Sequence, residues 1–149
     1  MRRLAATVTL ITLMEDSVPK GMAATAVCSL SMAPASLLAC INKSASLHDS
    51  ILVANHFGIN ILHRDQIEVS SRFSDKMLKD ARFENADWSC HPLGPPMLAG
   101  AQVGIVCKRS TFFTFGTHTI LVGEVVDVEN RDDIDPLLYL DGAFRSCLT

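Results

Sequence analysis

Two short segments carry the side chains best suited to chemistry, Gly21-Met22-Ala23-Ala24-Thr25-Ala26-Val27-Cys28-Ser29 and Asn42-Lys43-Ser44-Ala45-Ser46, on either side of an apolar run too short to be a helix. The first is made of small side chains and hydroxyls, so a flat aromatic ligand can approach the backbone without meeting bulk. The second brings one cation and two hydroxyls ahead of helix-like sequence, which suits a phosphate. Ser46 and Asp49 stand in the S-x-x-D relation of a capping box, and Leu47, Ile51 and Ala54 recur at helical spacing, which predicts a helix over 46–54. Amides at the positive end of such a helix would point back toward Lys43 and Ser44 and complete a site for a phosphate monoester. The same residues also suit an ordinary capped helix behind a polar turn, and the motif alone leaves both readings open.

The elements that must hold these segments read mostly as strands. Residues 4–13 alternate Thr7, Thr9 and Ile11 with Val8, Leu10 and Thr12, and 23–31 and 36–41 are short β-compatible runs around Pro34. Residues 57–62 put Phe57, Ile59 and Ile61 on one face, the pattern of a half-buried strand. Asp65 and Glu68 are expected to cap a second short helix through about Phe73. The period is lost from 74 to 96, around Trp88 and the Leu93-Gly94-Pro95-Pro96 turn. Two long strands, 101–113 and 118–129, joined by Thr114-Phe115-Gly116-Thr117, then read as a hairpin, followed by a turn at Asp135-Pro136 and the apolar run 137–140. Several strands with two short crossing helices favour a closed or partly closed barrel over an open sheet. Apolar positions on both faces of 118–129, Ile120 and Val122 against Leu121 and Val125, predict burial against a second copy of the chain.

Composition narrows the class. A length of 149 residues predicts one domain over 1–149, able to bury roughly two-thirds of its unfolded surface. Hydrophobic residues at 48% against 19% charged describe a folded globule. A formal charge of −3 with scattered basic residues offers no footprint for nucleic acid. No run approaches the roughly eighteen apolar residues of a membrane span, so no membrane partner is expected and a cytoplasmic location is. Cys28, Cys40, Cys90, Cys107 and Cys147 make an odd number without a C-x-x-C pair, and they read as buried free thiols in a reducing compartment. His48, His56, His63, His91 and His118 show no metal-ligand spacing, so no metal is expected. No G-x-G-x-x-G follows a strand, and no G-x-S-x-G is present.

In order along the chain, the blocks G-M-A-A-T-A-x-C-S, N-K-S-A-S-x-H-D-S-I, F-x-I-N-I-L, R-F, W, G-T-H-T-I-x-x-G-E-V and P-L-L-Y-x-x-G-x-F resemble the flavin reductase-like family over about residues 4 to 146. The resemblance implies the FMN-binding split β-barrel, a mainly β fold of Greek-key type with short crossing helices, in a homodimer. It implies an enzyme that oxidises NADH or NADPH and reduces FMN, with FAD as an alternative, for use by a separate monooxygenase component. Other split barrels pass electrons to a bulky acceptor such as a corrinoid, or bind flavin or haem without turnover, and both remain as alternatives.

Carried onto this chain, the resemblance places Met22, Ala23, Ala24, Thr25 and Ala26 along the isoalloxazine ring. Asn42, Lys43, Ser44 and Ser46 would hold the ribityl chain and phosphate, and Arg72 and Phe73 would help to close the phosphate end. His118, in Gly116-Thr117-His118, would position the nicotinamide or the incoming acceptor. Lys20 and Arg82 are candidates for a contact near the ribose 2′ position. Two departures bear on the site: Leu47 stands where threonine is common, and relatives usually carry a helix ahead of the position of Met1, so the entrance is expected to differ in part.

Overall fold

The computed structural model describes residues 2–148. Its strands are β1 (Ala6–Thr7), β2 (Thr9–Glu15), β3 (Val18–Ala24), β4 (Val27–Met32), β5 (Ala35–Asn42), β6 (His56–Ile61), β7 (Trp88–Cys90), β8 (Pro96–Leu98), β9 (Val103–Phe115), β10 (His118–Asn130), β11 (Leu138–Leu140) and β12 (Ala143–Arg145). The helices are α1 (His48–Val53) and α2 (Ile67–Ser74), with 3-10 stretches at Arg64–Gln66 and Lys76–Ala81. No helix among the described residues is long and apolar enough to cross a membrane.

Seven strands pair antiparallel in the order β3-β2-β6-β9-β10-β5-β4. Of β5, β6, β9 and β10, the last in the chain lies beside the first, as in a Greek key. Ile11 and Leu13 of β2 share a buried cluster with Leu37, Ala39 and Ile41 of β5. These strands stand second and sixth in the sheet, so their side chains can meet only if the sheet curls into a barrel. Leu47 and Ile51 of the α1 turn pack into the same cluster. The chain itself links the two ends of the sheet: β3 pairs with β2, and after Thr25 the same run continues as β4 against β5, with Cys40 N donating to Ala26 O at 2.8 Å. At that corner the backbone leaves one ladder and joins another, which is where the barrel is split.

A second cluster lies on the other face of β2, where Val8 and Leu10 meet Leu62, Val69, Phe73 and Leu137. Alternate residues of one strand thus face two cores, because successive side chains point to opposite sides of a sheet. β1, β11 and β12 form a small separate sheet, and β7 and β8 pair with each other.

Several expectations change in detail. The helix expected over 46–54 is shorter, and no capping box forms at Ser46, because Asp49 Oδ1 is taken by His48 Nδ1 at 2.8 Å and Leu47 is the cap residue without a side-chain bond. The capping box lies instead at His63 and Gln66, one 3-10 turn ahead of α2. The strand expected from Ala23 begins at Val18, since Asp16 and Ser17 form a tight turn with φ of 50° and 64° without the glycine that usually marks one. The hairpin turn is only Gly116-Thr117, with Gly116 at φ 57°, so β9 runs on to Phe115. The five cysteines are free, yet only Cys107 is buried, with burial driving its thiol up to about 12; Cys28, Cys90 and Cys147 are exposed.

Candidate functional site

The corner at Thr25-Ala26 opens onto a cavity of about 520 Å³, within the usual range of small-molecule sites. One wall is Met22, Ala23 and Ala24 of β3 followed by Thr25 and Ala26, so five consecutive predicted residues line it together. Asn42 at the end of β5 and His118 at the start of β10 pair in register and also line it. Tyr139 and Phe144, packed edge to face at 5.6 Å on β11 and β12, add an apolar boundary. Small side chains on one wall and aromatics on another suit a flat ring.

A second cavity of about 440 Å³ adjoins the first across Met22, Ala23 and Ser74. Ser44, Ser46 and Phe73, three of the residues expected at a phosphate end, line it, and Lys76, Lys79 and Arg82 give it a cationic side. Its chemistry is that of an anion site: three hydroxyls, from Ser44, Ser46 and Ser74, three cations and no carboxylate in the lining. Arg82 reaches across to β3, with Nη1 donating to Gly21 O at 2.8 Å and the guanidinium 5.8 Å from the Phe73 ring centre. Its Nε is buried and has no hydrogen-bond partner among the described residues.

Two predicted residues lie elsewhere. Lys43 does not line either cavity: its Nζ donates to Gly116 O and its backbone N to Thr117 O, both at 2.9 Å, which fastens the hairpin tip to the 42–46 turn. Arg72 lines neither, donating instead to the carbonyls of Glu84 and Asn85. Asn42 Oδ1 accepts from the backbone N and Oγ of Ser44, both at 2.9 Å, and so shapes the turn between the cavities.

His118 is exposed, with Nδ1 2.9 Å from Thr117 Oγ1. Behind it, buried His48 places Nε2 2.9 Å from Thr119 Oγ1, joining α1 to β10 next to the His118 position. Neither that brace nor the place of Lys76 and Lys79 on the cationic side was anticipated, and Arg82 was expected only near a ribose 2′ position. Lys76, Lys79 and Arg82 recur every three residues, the spacing that eclipses side chains in a 3-10 helix, and this was the available signal. Among the described residues no group of His, Cys, Asp and Glu is arranged to hold a metal.

A family model described as "Flavin reductase like domain" matches residues 1–147. The reductase component of an FADH(2)-dependent resorcinol hydroxylase from Rhizobium sp. (strain MTP-10005) is 42% identical over 141 residues, covering 93% of this chain and 79% of that protein. An FMN reductase (NADH) RutF from Stutzerimonas stutzeri (strain A1501) is 41% identical over 139 residues, with 93% and 80% covered. The crystal structure of BorF, the flavin reductase component of a bacterial two-component tryptophan halogenase, superposes with a TM-score of 0.89 at 30% identity, covering 97% of this chain and 92% of that one.

Proposed function

Because this chain belongs to the flavin reductase-like family, we propose that it is an NAD(P)H:flavin oxidoreductase that reduces FMN or FAD and supplies the reduced flavin to a partner monooxygenase. The observation that carries this reading is the pair of adjoining cavities along β3, small-walled and partly aromatic at one end and cationic at the other. Such a trough fits a ring joined by a polar chain to a phosphate.

In this reading Met22 to Ala26 lie along the ring, and Asn42 holds the turn that presents Ser44 and Ser46 to the phosphate. Phe73 closes the cleft beside Arg82. The flavin, when bound, supplies the redox chemistry by accepting a hydride from the nicotinamide. What the chain must contribute is orientation, since a near-attack geometry removes much of the barrier. His118, at the mouth of the ring cavity and free of any carboxylate partner among the described residues, is the residue that positions the nicotinamide. Lys43 acts indirectly, by holding the Gly116-Thr117 turn on which His118 depends.

The reading further includes a single domain over 1–149 and a cytoplasmic homodimer. Phe113 and Phe115 on β9 are 55% and 82% exposed, opposite Ile120 and His118 of β10, and a second copy would cover them. The test is anaerobic oxidation of NADH and NADPH with riboflavin, FMN and FAD in turn, followed by gel filtration. Rapid turnover with flavin eluting apart from the protein is expected. Retained flavin with fast reduction of an added bulky acceptor would favour the corrinoid-type alternative, and bound flavin without NAD(P)H oxidation would favour a binding module.

A further inference from the structure

We propose that His48 is a positioning residue: acting through Thr119, it fixes the start of β10 and with it the place of His118 at the mouth of the ring cavity. This rests on the reading in which His118 positions the nicotinamide, and it names a second histidine, lining neither cavity, on which the same reaction depends. The hairpin tip that carries His118 stands clear of the core: residues 110–118 are all exposed, and a Cβ added at Gly116 would meet nothing within 4 Å. After the turn, Thr119 is the first buried residue, at 0% exposure. The partner of its hydroxyl is His48 Nε2, at 2.9 Å.

Consecutive residues of the hairpin are tied to the one segment between β5 and α1. Gly116 O accepts from Lys43 Nζ and Thr117 O from the backbone N of Lys43, both at 2.9 Å, His118 pairs in register with Asn42, and Thr119 meets His48. Lys43, Gly116 and Thr117 are exposed, so water competes for their two bonds. The His48–Thr119 bond is buried, and losing either partner leaves the other without one in a place water does not reach. It is therefore the tie that holds most firmly.

His48 is itself fixed at both ring nitrogens. Nδ1 lies 2.8 Å from Asp49 Oδ1, a carboxylate oxygen that accepts, so in the neutral imidazole Nδ1 carries the proton and Nε2 accepts from the Thr119 hydroxyl. The turn and helix that carry His48 are seated in the barrel by Leu47 and Ile51, both enclosed in its core cluster. The path of restraint thus runs from the barrel core through α1 and His48 to Thr119, the residue next to His118. A positioning group displaced by about 1 Å loses much of the advantage of a near-attack geometry.

The test is steady-state NADH oxidation with FMN on the full chain, with Tm measured beside it, for His48→Leu, His48→Gln, Thr119→Val and His118→Ala, and for the first and third combined with the last. His48→Leu and Thr119→Val should each lower kcat about fivefold while KM for FMN stays within about twofold. His48→Gln, which keeps an acceptor for the Thr119 hydroxyl, should recover most of kcat. In the His118→Ala background neither variant should lower kcat further, although its loss of Tm remains, because the group being positioned is gone. Thr119→Val, nearly unchanged in shape, carries the same comparison if His48→Leu does not fold. Rate losses that multiply in the His118→Ala background, or an unchanged kcat in both His48→Leu and Thr119→Val, would overturn the role of His48 and leave the oxidoreductase reading standing. A wild-type kcat in His118→Ala would overturn the nicotinamide role of His118 and this inference with it.

Discussion

Replacing Gly21 with alanine tests whether contact between β3 and the aromatic cluster sets the wall of the trough. A Cβ at Gly21 would sit 2.6 Å from Phe73 Cε1, 3.1 Å from Ile11 O and 3.2 Å from Phe83 Cζ. Carbon atoms pack at about 3.5–4.0 Å, so the Phe73 ring would have to retreat by roughly 1 Å. It has little room: Phe73 is buried, its ring lies edge-on to Phe83 at 5.3 Å, and Phe83 in turn lies 4.9 Å from Trp88. Overpacking of this kind costs about 1–3 kcal/mol, offset by about 0.4–1 kcal/mol from the stiffer unfolded chain. A net loss of about 1–2 kcal/mol corresponds to a fall in Tm of about 2–8 °C for a domain of this size. Urea unfolding followed by the fluorescence of Trp88, the single tryptophan, reads the effect directly. Phe73→Leu in the same chain makes room for the new methyl, so the double variant should be more stable than the two separate losses predict, by about 0.5 kcal/mol or more. An unchanged urea midpoint in Gly21→Ala, or losses that simply add, would refute the reasoning.

Three further outcomes are expected. His118→Ala should leave Tm and flavin affinity at wild-type values and lower kcat with NADH by about tenfold or more, measured by stopped-flow oxidation of NADH; a parallel loss of flavin affinity would count against a positioning role. Cys28, Cys90 and Cys147 should react readily with a thiol reagent in the folded protein, while Cys107, buried and pushed up to about 12, should react only after unfolding, as counted by intact-mass spectrometry. Burial raises the pKa of Asp135, but hydrogen bonds from Ser146 Oγ at 2.8 Å and Arg64 at 3.2 Å outweigh it and hold the carboxyl below its ordinary 3.8. A depressed folded value means stability that is present above pH 3.8 and lost as pH falls through the folded pKa. Asp135→Asn should therefore lower the urea midpoint at pH 7, and its gap from wild type should close on acidification below pH 3.8; a gap independent of pH would contradict that origin.

The small-residue wall of the first cavity was legible because its residues are consecutive. Met22 to Ala26 occupy one strand end and its corner, so a run of small residues in sequence becomes one wall in space. The lining of the second cavity was legible only in part. Ser44 and Ser46 lie where the polar turn placed them, but Lys43 is drawn to Gly116 O by a hairpin tip that is far away in the chain. Arg72 lines neither cavity for a similar reason: the carbonyls of Glu84 and Asn85 come within its reach only after the 74–96 segment folds back. That segment looked irregular because short 3-10 turns and three-residue strands carry no period long enough to detect.

By itself the sequence determined the strand-rich class, the two long hairpin strands, the small-residue wall and the family, since alternation, turn residues and ordered motif blocks are local properties that need no partner. The tertiary structure decided which strand edges meet, that the 18–32 run passes from β2 to β5 at Thr25, and that Lys76, Lys79 and Arg82 replace Lys43 and Arg72 beside the anion cavity. The physical reason is distance along the chain: where a long cationic side chain points depends on which acceptor or aromatic face arrives beside it, and those neighbours exist only once the sheet has curled.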